Sequence, residues 1–230
     1  MDYEQIYAEH ADRYDALVAA EDCDHNLLPA LESIVTLRDA SVLEVGVGTG
    51  RVTRLIAPLA RQIIGVEREP AMLEIARRHL AGTVHCTLHI GEAESLPVGA
   101  RWADVALAGW VFGHFRYWMP DDWRARVGAA IAEMQRALEP HGTLIIIETL
   151  GTGSLEPASP SSELAEYYAW LESELGFQRR SIRTDYAFPS VQLAAEITGF
   201  FFGDEFARRV EAEQWMRVPE CTGIWWRRSG

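Results

Sequence analysis

A chain of 230 residues, 48% of them hydrophobic and 24% charged, is long enough for one sizeable domain and too apolar to be disordered by default. Its formal charge of -13 argues against a nucleic-acid partner, because proteins that hold a phosphate backbone ordinarily present a basic face. The longest apolar runs, such as TLIIIETL, have the length of a strand, and Met1 to Glu9 shows neither the basic start nor the apolar middle of a signal peptide, so no membrane segment is expected.

The chain opens with YEQIYAEHADRYDALV, where Ile6, Tyr7, Tyr14, Leu17 and Val18 recur at helical spacing. A second helical piece is predicted from about Leu27 to Val35. The texture then changes to strand and helix in alternation: strand SVLEVG, a helix from Arg51, strand QIIGVE, helix PAMLEIARRHL, strands VHCTLHIG and ADVALAGW, helix DDWRARVGAAIAEMQRAL and strand GTLIIIETL. Pro70 stands at a first-turn position, Asp121 is a cap candidate and EPHG ends a helix. Such alternation predicts an α/β fold, a parallel sheet covered by helices on both faces, with ligands bound beyond the carboxyl ends of the strands. After Leu150 the regularity weakens. GTGSLEPASPSS reads as a loop at the mouth of a site, followed by a helix from about Ser162 to Leu175 and a strand candidate FQRRSIRTDYAF. Short helices through SVQLAAEITGF and GDEFARRVEAE lead to a terminal strand candidate, CTGIWWRR. Cys23, Cys86 and Cys221 lie far apart, without metal-ligand spacing, which points to reduced thiols in a cytoplasmic protein.

In VLEVGVGTGRV, Gly46, Gly48 and Gly50 fall where a strand meets a helix, a place where bare backbone lets a ligand approach without meeting a Cβ. A dinucleotide turn in the G-x-G-x-x-G register would put its third glycine at position 51, which holds Arg51. Glu67 closes the second strand, 21 residues after Gly46, where a carboxylate can accept from both hydroxyls of a ribose. Turn and carboxylate together suggest a nucleoside without a diphosphate.

At these residues the sequence resembles the class I S-adenosylmethionine-dependent methyltransferases, in particular the group acting on small molecules. VLEVGVGTG matches that family's first motif, IGVEREPAMLEIAR its second strand and following helix, HIGEAESLPV its third, ADVALAGWVFGHF its fourth and LEPHGTLIIIE its fifth. The resemblance, which spans roughly Val42 to Thr149, implies a Rossmann-like, doubly wound, seven-stranded and mostly parallel sheet with the last strand antiparallel. It implies a single methyltransferase domain over 1–230, with an N-terminal helical cap at 1–37, a cofactor-binding core at 41–150, and lid and acceptor-side insertions at 151–217. It also implies S-adenosylmethionine as cofactor, S-adenosylhomocysteine as product, no metal, and a small-molecule acceptor. By position, Glu44 corresponds to the acid near the methionine amino group, with Gly46, Gly48, Thr49 and Gly50 forming the turn beneath it. Glu67 corresponds to the ribose ligand, and Arg68 and Met72 to residues flanking the adenine. Glu92 and Ala93 correspond to the pair that meets its edge. Ala108, Gly109 and Trp110 would face the sulfonium, and Tyr14 would close over the cofactor from the first helix. A phosphate-free cofactor with a sulfonium cation explains the missing fourth glycine.

Methyl transfer needs a base only if the nucleophile, an O or N atom, must lose a proton. His114, just beyond the fourth strand, is the candidate; His10, His141 and Glu148 are weaker ones. Trp110, Phe112, Phe115, Tyr117 and Trp118 form an aromatic cluster, to which GFFFGDEF and GIWWRR add, that fits core packing, a planar or largely apolar acceptor or a cationic one. A nicotinamide-dependent oxidoreductase is the first alternative, opposed by Arg51 and by a chain with no lysine and hence no Tyr-x-x-x-Lys pair. The second is a methyltransferase-like protein that binds the cofactor without turnover. AGWVFGHF does not resemble the N/D-P-P-Y/F motif of enzymes that methylate nucleic-acid amines. The oligomeric state is left open by the sequence.

Overall fold

The computed structural model describes residues 3–229; Met1 and Asp2 of the expected cap, and Gly230, lie outside the described residues. Two short helices, α1 (Tyr3–Glu9) and α2 (Ala11–Ala19), replace the single opening segment, because His10 leaves helical geometry and its carbonyl accepts from the amides of Arg13 and Tyr14. Helix α3 (Leu27–Glu32) follows. Then come β1 (Ser41–Val45), α4 (Arg51–Ile56), β2 (Gln62–Glu67), α5 (Pro70–His79), β3 (Cys86–Ile90) and β4 (Ala103–Gly109). The aromatic stretch after β4, given no element from sequence, forms helix α6 (Phe112–Trp118). Helix α7 (Trp123–Ala137) starts after Asp122 rather than Asp121, and β5 (Leu138–Thr152) takes in the residues expected to end that helix.

The remainder is α8 (Ser162–Ser173), β6 (Gln178–Arg183), β7 (Tyr186–Ala187), α9 (Val191–Phe202), α10 (Asp204–Ala212), β8 (Arg217–Val218) and β9 (Glu220–Arg228). Helices α8 and α9 each begin at a serine whose hydroxyl accepts a backbone N–H, Ser161 from Leu164 and Ser190 from Leu193, contacts that contribute about 1 kcal/mol each. The single strand expected over 177–188 divides at Thr184 and Asp185. The Asp185 carboxylate accepts from Arg183, Arg217 and the Glu220 amide, and these bonds turn the chain out of the main sheet.

Seven strands form that sheet in the order β3-β2-β1-β4-β5-β9-β6, and β7 pairs with β8 apart from it. The first five are mutually parallel; β9 runs antiparallel to both β5 and β6. A strand inside such a sheet must be apolar on both faces. In β1, Leu43 and Val45 enter a core shared with Val127, Ile131 and Met134 of α7 and Tyr167 and Leu171 of α8, whereas Val42 enters one shared with α3 and α4. Helix α2 packs on α5 through Ala11, Met72 and Ile75, and Leu17 joins a third cluster with Tyr186, Phe188, Val210 and Val218. The chain order reverses direction between β1 and β4, and the carboxyl ends of those two strands open toward α1, α2 and α6. No helix among the described residues is long and apolar enough to cross a membrane.

Candidate functional site

Two adjoining cavities lie beyond those strand ends. The first, with about 750 Å³ of empty volume including its open mouth, begins at the glycine turn. Gly46 has φ of +72°, and a Cβ there would sit 2.2 Å from Val111 Cγ2, so the turn is closed to any side chain. Gly48, at φ +58°, donates its amide to Glu67 Oε2 at 2.8 Å, while Glu67 Oε1 accepts from the Glu69 amide at 2.9 Å. Each carboxylate oxygen keeps a second lone pair for an external donor. Burial pushes the Glu67 pKa up, against the lowering effect of the Glu69, Gly48 and Arg68 amides.

Around this turn the structure brings together Tyr14, Gly46, Gly48, Glu67, Arg68, Met72, Glu92, Ala93, Gly109, Trp110 and His114, all expected from sequence. Arg68 is tied to Glu4 at 3.4 Å and to Glu69 at 3.3 Å. Four expected residues do not line the cavity. Glu44 is buried on the α4 face of β1, where it accepts from the Thr53 hydroxyl at 2.6 Å and burial raises its pKa to about 8. Thr49 and Ala108 are also buried, and Gly50 packs against Ala76 of α5.

Tyr7, Tyr14, Trp110 and His114 separate the first cavity from a second one of about 1380 Å³, and line both. The Tyr7 hydroxyl and His114 Nε2 are 2.9 Å apart, and the imidazole stacks on Trp118. Desolvation lowers the His114 pKa to about 4, so the ring is neutral at physiological pH. His10 packs edge-on against Phe200 and lines neither cavity; His141 lies at the other end of the sheet.

The second cavity is aromatic and acidic. Its walls include Tyr3, Tyr117, Tyr186, Phe201, Phe202 and Phe206, and it holds the carboxyls of Glu21, Glu148 and Glu220. Glu148 Oε1 accepts from the Gly113 amide at 2.9 Å and from the Tyr167 hydroxyl at 3.4 Å. Glu220 Oε1 accepts from the Thr149 hydroxyl at 2.7 Å, whereas its buried Oε2 has no hydrogen-bond partner. Burial raises both pKa values to about 8; for Glu220 the neighbouring Glu21 adds to the rise, opposed by the Thr152 and Thr149 hydroxyls. Arg51, which stands where a dinucleotide turn would have glycine, reaches into this cavity, pairs with Glu21 and stacks 3.4 Å over the Trp110 ring. Sequence reasoning missed Glu21, Tyr186 and Glu220; the Phe201 to Phe206 wall falls in GFFFGDEF, counted there with the aromatic cluster. For Glu220 a signal existed: it abuts an apolar strand, as Glu148 does. The others come from segments with no motif. Among the described residues no His, Cys, Asp and Glu groups of three or more are placed to hold a metal ion.

The chain is similar to known methyltransferases in sequence and fold. The methyltransferase domain family matches residues 43–146. An uncharacterized methyltransferase of Oceanobacillus iheyensis is 27% identical over 150 residues, which are 63% of this chain and 66% of that relative. Among solved structures, the YcgJ protein from Bacillus subtilis superposes with a TM-score of 0.61 at 16% identity, over 89% of this chain and 98% of that one. The phosphoethanolamine N-methyltransferase 2 of Haemonchus contortus, solved with phosphomonomethylethanolamine and S-adenosylhomocysteine, gives 0.63 at 15% identity, over 99% of this chain and 58% of that one. The strand order, the glycine turn and the domain match over residues 43–146 agree on a methyltransferase domain of the class I S-adenosylmethionine-dependent kind.

Proposed function

We propose that the chain transfers a methyl group from S-adenosylmethionine to a small-molecule acceptor, the first cavity holding the cofactor and the second the acceptor. The observation that carries this reading is the shared wall: a molecule filling the first cavity presents its end, between Tyr7, Tyr14, Trp110 and His114, to the second.

The residues of the first cavity fit such a cofactor. Glu67, oriented by two amides, has lone pairs left for the ribose hydroxyls, and Glu92 and Ala93 lie where the adenine edge would be met. Among the described residues that line it the one cation, Arg68, is already bonded to two carboxylates, so a diphosphate finds no counter-charge. Arg51 is likewise committed to Glu21, which weighs against the nicotinamide alternative. Glu44, Thr49, Gly50 and Ala108 support the turn from behind, and a direct contact with the methionine ammonium is left to the turn itself.

When bound, S-adenosylmethionine supplies an electrophilic methyl carbon on a positively charged sulfur. The protein's part is then alignment and exclusion of water, which together account for several kcal/mol, on the order of effective-molarity estimates. The cap at 1–37 contributes Tyr7, Tyr14 and Glu21, and the segment 151–217 contributes Leu164, Tyr186 and the Phe201 to Phe206 wall, so both close over the acceptor. His114 orients the Tyr7 hydroxyl at the waist; with a pKa near 4 it is a weak proton acceptor, and that role falls to the carboxyls of the second cavity.

Calorimetry with S-adenosylhomocysteine and NAD tests the reading. Binding of the first and not the second is expected. Binding of NAD alone would reject it.

A further inference from the structure

Resting on that reading, we infer that the acceptor is an amine, an aryl- or alkylammonium with no anionic group, held in the second cavity by aromatic faces and by the free carboxylate oxygen of Glu220.

Four features of the cavity point the same way. First, its charged lining consists of three carboxyls and one guanidinium, and the guanidinium is used up by Glu21 and the Trp110 ring. An anionic acceptor therefore meets no available cation, and its phosphate or carboxylate would be desolvated without a counter-charge. Second, Glu220 is 1% exposed, yet one of its oxygens has no partner while the other is fixed by Thr149. A buried acceptor atom left in this condition is costly unless a ligand donates to it. Third, rings of Tyr14, Tyr186, Phe201, Phe202, Phe206 and Trp110 surround the space, and aromatic faces attract ammonium groups. Fourth, the cavity opens onto the waist at Tyr7 and His114, so a molecule held there borders the end of the cofactor cavity.

The groups facing Glu220 come from several elements. They are Glu21 and Tyr186, Thr149 and Thr152 of β5, Arg51 of α4, and Asp185, which accepts the Glu220 amide at 3.0 Å. Only Arg51 among them is cationic, and it faces Glu21 directly. A ligand ammonium supplies the missing positive charge.

The chemistry balances. The ammonium gives one proton to the Glu220 carboxylate, which leaves a neutral nitrogen with a lone pair. That pair forms the N–C bond to the methyl group as the C–S bond breaks with its electrons going to sulfur. The product is a methylated ammonium, the sulfonium charge is discharged, and Glu220 passes its proton to solvent.

The test compares 2-phenylethylamine with its uncharged analogue 2-phenylethanol, by calorimetry on the intact chain, with benzyltrimethylammonium as a cation whose charge does not change with pH. The amine should bind at least about tenfold more tightly than the alcohol. Glu220→Gln, which keeps the shape and removes the charge, should bring the ratio close to one; Glu148→Gln should lower it less, and the melting temperature of each variant at pH 6 is the folding control. Benzyltrimethylammonium affinity should rise between pH 6 and pH 9 in the parent chain and stay flat in Glu220→Gln. Equal binding of amine and alcohol, or a preference untouched by Glu220→Gln, overturns the inference. S-adenosylhomocysteine titrated into the same preparation separates the two readings. If it binds and the amine preference is absent, only the amine assignment falls. If it fails to bind, the cofactor reading falls, and the amine-to-alcohol ratio still decides this one.

Discussion

The two cavities share a wall and are built in opposite ways. The first is built around backbone at strand ends: the turn at Gly46 and Gly48, the strand end at Glu67, the segment from Gly91 to Ala93 and the strand end at Gly109, with Tyr7, Tyr14 and His114 closing it. The second is made of side chains drawn from distant segments, Glu21 and Arg51 near one end of the chain, Gly113 and Glu148 in the middle, and Tyr186, Phe206 and Glu220 near the other. A site made of backbone tolerates little change and suits one ligand, because its shape is set by dihedral angles. A site made of side chains on separate elements can be altered one wall at a time without disturbing the sheet.

The largest expected effect falls on the backbone-built cavity. Gly46→Ala places a Cβ against Val111 at a positive φ, so S-adenosylhomocysteine affinity should drop by a factor of about 100 or more, with a lower melting temperature. A variant that binds normally would break the assignment of the turn. Glu67→Ala comes next. Losing a charged acceptor for two ribose hydroxyls should weaken the cofactor about 30- to 100-fold in calorimetry, while the ratio of amine to alcohol binding in the second cavity stays as it was. If both change together, the cavities are not the separable units described above.

The same division explains what could be read from sequence. The glycine turn, Glu67, Met72, Glu92 with Ala93, and Gly109 with Trp110 were legible because strand, turn and helix follow each other within a few residues, so that spacing along the chain is spacing in space. Glu44 illustrates the limit. Its place in β1 was clear, but whether its side chain served the ligand or the Thr53 hydroxyl depended on which face of the strand α4 covers. For Glu220 and Phe206, nothing local indicates that β9 and α10 converge on α2 and α4. Only the return of the chain after α10, with β9 inserted between β5 and β6, puts them there. The split of the strand at Asp185 was invisible for a related reason: it is set by hydrogen bonds from Arg217 and the Glu220 amide, more than thirty residues away, not by residue periodicity.

A third prediction concerns pH and separates the cavities by charge. Burial raises the pKa of Glu44, Glu148 and Glu220 to about 8 from an ordinary value near 4.5. Between those two values the folded chain holds more protons than the unfolded chain, so stability falls as pH rises through the window. His114, pushed down to about 4 by burial from 6.5, acts in the opposite sense, its contribution being lost as pH falls from 6.5 toward 4. Scanning calorimetry should therefore show a melting temperature highest near about pH 5, where three carboxyls outweigh one histidine, and lower by at least several degrees at pH 9. Glu148→Gln should flatten the alkaline side. A melting temperature that climbs steadily to pH 9 would contradict the burial of these carboxyls.

The smallest effect belongs to His114. His114→Ala should change S-adenosylhomocysteine affinity by no more than about threefold, since the imidazole meets Tyr7 at the waist and makes no bond to the turn or to Glu67. The rate profile of the parent chain should carry no ionisation near pH 6.5. A clear step there, lost in His114→Ala, would restore the imidazole as the proton acceptor and displace the carboxyls from that role.

The division of labour between the cavities is tested most directly by a crystal structure with S-adenosylhomocysteine bound. The account predicts the ribose hydroxyls on the Glu67 carboxylate, the adenine beside Glu92 and Ala93, and the sulfur at the waist beside Trp110, directed toward Glu148 and Glu220. A nucleoside seated in the acidic aromatic cavity instead, or with its sulfur turned away from that cavity, would contradict it.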